Sequence, residues 1–383
     1  MNYDFDKIID RKNSNSIKWD FAIERGKPDG LIPMWVADMD FSTPQKVLDD
    51  IHKAVNHGIF GYTEVKQDYY DALSEWFSTR YGFRFSHQDV VKAPGVVFAL
   101  AACVRAFTEP NEAILIQTPV YFPFYEVIRK NGRRLITNPL TYNEGTYTID
   151  FNDFENKIKE NAVKMFILCS PHNPVGRVWS RDELECINEI CAKYNVTVVS
   201  DEIHCDFVHK PYEHTCYGLI DENAVITTSP SKTFNLAGLQ VANIIVRNSK
   251  LNRLLKSEMN KTGYSQLNTL GLVACQSAYT HGGDWLEELM EYLAGNIQYT
   301  QEFLSERLPR VRLIEPQGTY LLWLDFSAYG LTQAELDRQI TENAGLWLDS
   351  GTKFGAEGEG FQRMNIACPR KTLERALSSL ARF

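Results

Sequence analysis

Residues 224–238 read AVITTSPSKTFNLAG, and the order of residue types in them decides the fold. The run Ala224–Ser229 is apolar and β-branched, the habit of a strand buried on both faces. It passes without a break into Pro230, Ser231 and Lys232. Lysine is among the residues least often buried. A lysine set at the end of a buried strand, among Ser229, Ser231 and Thr233, calls for a reason other than solvation.

Strands of the same kind lie on either side. Ala113–Thr118 (AILIQT), Lys164–Ser170 (KMFILCS), Val196–Asp201 (VTVVSD) and Ala242–Arg247 (ANIIVR) are near-continuous apolar runs. SRDELECINEICAKYN stands between two of them. Its Ser180 and Glu183 form a capping box, and Leu184, Ile187, Ile190 and Cys191 recur at helical spacing. Strand, helix and strand in succession require parallel crossovers, so the core is predicted to be α/β.

The ends differ in rhythm. From residue 284 a long helical pattern begins, followed by strand candidates Val311–Glu315 and Thr319–Asp325 and a helix from Gln333. This predicts a smaller α+β domain over residues 284–383 beside a large domain over residues 46–283. Residues 1–45, rich in turns and aromatics, are expected to pack with the smaller one.

The totals narrow the function. The chain has 383 residues, 44% apolar and 23% charged, enough for an ample core. A net charge of −9 argues against nucleic-acid or anionic-membrane partners. MNYDFDKIID has neither the basic start nor the apolar run of a secretion signal, and no stretch approaches a membrane span. A soluble, cytoplasmic protein is expected. Eight cysteines without a CxxC pair read as reduced thiols. His204, Cys205, His209, His214 and Cys216 cluster but fit no zinc spacing, so no metal is expected.

In open parallel sheets, ligands bind beyond the carboxyl ends of the strands. Those ends carry Tyr121, Asn173, Asp201, His204, Ser229, Ser231 and Lys232. A desolvated lysine is a nucleophile toward carbonyls. A carboxylate can pair with a protonated ring nitrogen, an aromatic ring can cover a flat cofactor, and hydroxyls with a helix start can hold a phosphate. Together these meet the needs of pyridoxal 5′-phosphate (PLP).

Four ordered motifs carry a resemblance over nearly the whole chain: SPHNPVG (170–176), VVSDEIH (198–204), SPSKTFNLAG (229–238) and FQRMNIACPR (361–370). The sequence resembles the fold-type I, aspartate-aminotransferase-like PLP enzymes. That resemblance implies a mainly parallel seven-stranded sheet with helices on both faces, plus a smaller α+β domain. It also implies roles. Lys232 matches the lysine that holds the cofactor and takes the Cα proton. Asp201 matches the carboxylate on the pyridine nitrogen, Asn173 the amide on the ring oxygen, and Tyr121 the stacked aromatic. His204 stands where a tyrosine often donates to that oxygen. Gly95, Val96 and Val97, in APGVVFAL, match the phosphate cradle, with Ser229 and Ser231 adding hydroxyls. Tyr62, in GIFGYTEV, matches a tyrosine lent by the partner of a homodimer. Arg363 matches the arginine that grips the substrate carboxylate, a planar task suited to Arg. Asn173 and Ala37 are expected beside it. The arginine that often follows the lysine is absent, and Gln240 occupies its region.

The reaction turns on LIPMWVADMDF (31–41), which is similar to the signature of the MalY/PatB, cystathionine β-lyase or C–S lyase branch. The resemblance implies α,β-elimination from L-cystathionine or other L-cysteine S-conjugates, giving thiol, pyruvate and ammonia. Tyr62 or Tyr121 could assist the leaving sulfur. Asp38 and Asp40 read as turn or cap carboxylates. A class I/II aminotransferase is the alternative. A PLP-binding regulatory protein is a third reading that no basic face or DNA-binding helix pair favours.

Overall fold

A computed structural model describes residues 3–264 and 266–383. At its centre are seven strands: β1 (Val90–Ala93), β2 (Ala113–Thr118), β3 (Arg134–Pro139), β4 (Val163–Cys169), β5 (Thr197–Asp201), β6 (Val225–Thr228) and β7 (Ala242–Val246). Their spatial order is β1-β7-β6-β5-β4-β2-β3. From β3 to β6 the neighbours run parallel, while β7 is antiparallel to both β6 and β1. The strands named from the sequence recur with ends moved by a residue or so. Apolar runs alone do not reveal direction, which is why the reversal of β7 was not foreseen.

Helices cover both faces. Val96–Phe107, Pro123–Lys130 and Ser249–Lys261 bury one face. Gln67–Tyr81, Phe151–Asn161, Arg181–Lys193 and Thr269–His281 bury the other. Val96–Phe107 reads VVFALAACVRAF, apolar nearly all round, because it lies between the sheet and the neighbouring helices. Ser180 caps Arg181–Lys193 as its pattern predicts, accepting from the Glu183 N–H.

Beyond the long helix Gly283–Arg307, a four-stranded antiparallel sheet forms from Arg312–Leu313, Leu321–Asp325, Phe361–Asn365 and Asp349–Ser350. Its core includes Leu304, Leu322, Leu324, Met364 and Leu373, together with Met34 from the N-terminal segment. Ile32–Pro33 pairs in parallel with Leu346–Trp347.

Residues 34–41 then cross as a strap to the large sheet. Asn365 Nδ2 donates to the carbonyls of Val36 and Asp38, both at 2.6 Å. From the other side, Asn235 Nδ2 donates to the carbonyls of Met39 and Phe41, both at 2.9 Å. Asn235 does this from a left-handed backbone (φ 56°), a conformation Asn tolerates. Asp38 and Asp40 are not the turn or cap carboxylates the sequence suggested. Arg11 bridges both at 2.7 Å, and the buried Lys18 meets Asp40 at 2.8 Å. Burying Asp40 is tolerable only with those cations in place.

All eight cysteines are free, seven of them buried. Among the described residues no cluster of His, Cys, Asp or Glu could hold a metal ion. His209 Nε2 lies 2.8 Å from the Thr319 carbonyl and His214 Nε2 3.0 Å from Glu202. Among the described residues no helix is long and apolar enough to cross a membrane.

Candidate active site

The strand ends converge on one cavity of about 150 Å³. β5 delivers Asp201 as its last residue, and Ile203 and His204 follow it to the wall. β6 runs into the short helix Pro230–Thr233, which carries Lys232. The loops after β4 and β2 bring Asn173 and Tyr121, and the start of Val96–Phe107 brings Gly95, Val96 and Val97. Ala37 enters from the strap.

Lys232 Nζ donates to the Ala37 carbonyl at 2.7 Å. Burial lowers its amine to about 8, helped by the charge of Arg363 and opposed by Asp38 and Asp201. Asp201, 4% exposed, is pushed up to about 7 by burial, with Glu202 adding to the rise; the Ile203 N–H and Lys232 oppose it. Among the described residues its Oδ1 accepts only the Ile203 N–H, at 3.1 Å. A buried carboxylate so weakly compensated gains from a cationic N–H opposite it.

His204 is buried, and its Nδ1 has no hydrogen-bond partner among the described residues. Burial, then the charges of Lys232 and Arg363, hold the ring neutral. Burial keeps the Tyr121 hydroxyl protonated, its pKa pushed up to about 12.

Arg363 is 3% exposed. Its Nη1 donates to Asn173 Oδ1 at 3.0 Å and its Nη2 to the Trp35 carbonyl at 2.9 Å. Nη2 also meets Asp349, whose other oxygen takes Lys353 at 2.8 Å. The Phe354 ring lies 4.7 Å from the guanidinium, and Nε is buried with no hydrogen-bond partner among the described residues. An orphaned guanidinium N–H at such depth points to an anionic ligand that arrives later. Because Arg363 occupies Asn173 Oδ1, the Nδ2 end is left for another acceptor.

The phosphate end gathers hydroxyls, an amide and a helix start. Ser229 Oγ donates to the Val241 carbonyl at 2.6 Å and accepts from the Ser231 N–H at 3.0 Å. That arrangement suits the cap of Pro230–Thr233, and Ser229 also lines the cavity. Ser231 lines the cavity, as does Gln240. Among the described residues, Lys232 is the one cationic side chain in that lining. Gly95, at φ 147°, precedes Val96–Phe107, whose first N–H groups have no intrahelical acceptors. Tyr62 is 98% exposed and lies outside the cavity, in an open groove of about 850 Å³ with Phe60 and Tyr264.

Sequence reasoning missed three supports. Asp206 accepts from Thr233 Oγ1 at 2.7 Å and Trp76 Nε1 at 3.1 Å, and Tyr81 donates to it as well, tying down the helix that carries Lys232. Asp349 orients Arg363. Tyr320 donates to the Ala37 carbonyl at 3.0 Å. None stands in a recognisable motif; Asp349 reaches Arg363 across a strand pair, while Tyr320 and Trp76 meet their partners from more than a hundred residues away.

These residues fit PLP: an amine held below its usual pKa, a buried carboxyl in need of a cation, a helix start with spare N–H groups, and an amide with a free donor. The comparisons agree. A family model described as aminotransferase class I and II matches residues 31–380. Cystathionine β-lyase PatB of Bacillus subtilis is 42% identical, covering 97% of this chain and 97% of the relative. Protein MalY of Escherichia coli is 33% identical, covering 99% and 98%. Among solved structures, a PLP-bound putative aminotransferase from Clostridium difficile 630 superposes with a TM-score of 0.97 at 40% identity, covering 100% of this chain and 99% of that one. A PLP-bound C–S lyase from Staphylococcus hominis gives 0.93 at 37%, covering 100% and 98%. The chain belongs to the PLP-dependent aminotransferase class I and II family, with PatB and MalY among its relatives.

Proposed function

We propose that the protein is a PLP-dependent carbon–sulfur β-lyase acting on L-cystathionine or related L-cysteine S-conjugates. One observation carries this reading: the match to cystathionine β-lyase PatB runs at 42% identity across 97% of the chain. When bound, PLP supplies an aldehyde that condenses with amines and a ring that draws electrons from the substrate Cα.

The chain's residues do the rest. Lys232 Nζ holds the cofactor and, once freed, takes the Cα proton; an amine lowered to about 8 is in part uncharged near neutral pH. Asp201 would keep a proton on the ring nitrogen. Tyr121 would cover the ring, with Asn173 Nδ2 and His204 as the donors for its oxygen. The N–H groups after Gly95, with Ser229 and Ser231, would receive the phosphate. Arg363 Nε binds the α-carboxylate. The Cβ–S bond then breaks with its electron pair passing to sulfur. With one water consumed, a thiol, pyruvate and ammonia leave.

The site takes Tyr62 from a second copy of the chain. Its near-complete exposure beside Ile59, Phe60 and Tyr264 supports a homodimer. Residues 1–45 form an N-terminal segment that packs with the small domain over residues 284–383, beside a large domain over residues 46–283. Seven buried free thiols suit a reducing, cytoplasmic setting.

The test is product analysis with cystathionine and PLP. Pyruvate and homocysteine in equal amounts are expected. A keto acid retaining the sulfur, with amine-form cofactor and no ammonia, would replace this reading with the aminotransferase one. Arg363→Lys is expected to lower kcat/KM by about 10²-fold, mainly through KM. A lysine cannot make the fork that meets Asn173, Trp35 and a carboxylate together.

A further inference from the structure

The Ala37 carbonyl accepts two donors at once, Lys232 Nζ at 2.7 Å and the Tyr320 hydroxyl at 3.0 Å. We propose that Tyr320 is a positioning residue for Lys232: its hydroxyl holds the Ala37 carbonyl in place and, by sharing that acceptor, keeps the lysine amine loosely docked and its charged form less favoured. This rests on Lys232 being the cofactor lysine and base.

The surroundings suit that task. Tyr320 is fully buried, edge-on to Phe207 at 4.8 Å and to His204 at 6.0 Å between ring centres. Burial holds its hydroxyl protonated at any working pH, so its single proton stays on the carbonyl. The carbonyl belongs to the strap, pinned by Asn365 through its neighbours Val36 and Asp38. The acceptor is therefore fixed from three sides while the amine must come and go.

Two donors on one oxygen weaken each other. An ammonium depends on its acceptor more than a neutral amine does, so sharing disfavours the charged form. The other groups acting on Lys232 come from separate elements: Asp38 from the strap, Asp201 from the end of β5 and Arg363 from the small sheet. The neutral His204 lines the same wall. Tyr320 acts beside these charges through the one atom the amine touches.

The test is Tyr320→Phe in the full-length holoenzyme, which keeps the ring and removes the hydroxyl. The acid limb of the kcat–pH profile is expected to move alkaline by about half to one pH unit, with KM within about twofold. At pH 7 that reads as a loss of roughly three- to tenfold, recovered near pH 9. A second readout is independent of turnover. In cofactor-stripped full-length protein, the pH midpoint for acylation of Lys232, followed by peptide mass, is expected to rise by a similar amount. Unmoved midpoints in both, an acid shift, or a kcat loss equal at every pH would overturn the proposal. If borohydride reduction of wild-type holoenzyme attached the cofactor to a lysine other than Lys232, the underlying reading would fail instead.

Discussion

A Lys232→Ala variant is expected to lose at least about 10³-fold in kcat/KM, within the range for removing a positioned general base. It should also lose covalent attachment of the cofactor. Borohydride reduction should add cofactor mass to the peptide holding residue 232 in wild type and to no peptide in the variant. The fold should not suffer. The amine sits in a cavity that lowers it to about 8, so its charged form is a burden on the folded state below that pH. The variant is expected to melt no lower than the cofactor-free wild type at pH 7. Turnover within tenfold of wild type would remove Lys232 from the chemistry.

Asp201→Asn is expected to cost about 10²–10³-fold in kcat, the scale for losing one preorganised electrostatic partner of the reacting system. Its stability signature has a definite sign. Burial raises the Asp201 carboxyl to about 7 in the cofactor-free protein. Between the unfolded value near 3.8 and that folded value, the native state holds a proton the unfolded chain has released. The stabilising contribution is complete below the unfolded pKa and is lost as pH rises to about 7. Asparagine has no proton to lose. The melting temperature of Asp201→Asn should therefore gain on that of cofactor-free wild type from pH 4 to 7, then level off. With PLP bound to wild type, the slope should shrink, because a cation faces the carboxylate. Parallel melting curves across that range would show that Asp201 carries no such burden.

Much of the site was legible because its chemistry is local. Asp201 ends one apolar strand, and Lys232 and Asn173 each follow another, so strand placement alone put them at one rim. Ser229 has a task the sequence does not show: its hydroxyl also caps the turn that presents Lys232. β3 escaped notice because it is the half-exposed edge of the sheet, where RLITNP mixes polar and apolar residues.

The sequence by itself determined the α/β class, the cofactor and which strand-end residues gather at one cavity, because buried strands and the polar residues after them are written in consecutive positions. Only the tertiary structure decided what surrounds those residues. It gave Arg363 its Asp349 partner, left Arg363 Nε open and brought the Ala37 carbonyl to Lys232. Lys232 lies 195 residues from Ala37, and Tyr320 lies 283 residues from it. Contacts at such separations leave no period or motif in the chain. They arise when a seven-stranded sheet, a smaller sheet and the strap between them close on one cavity, and that closure sets how tightly the lysine is held.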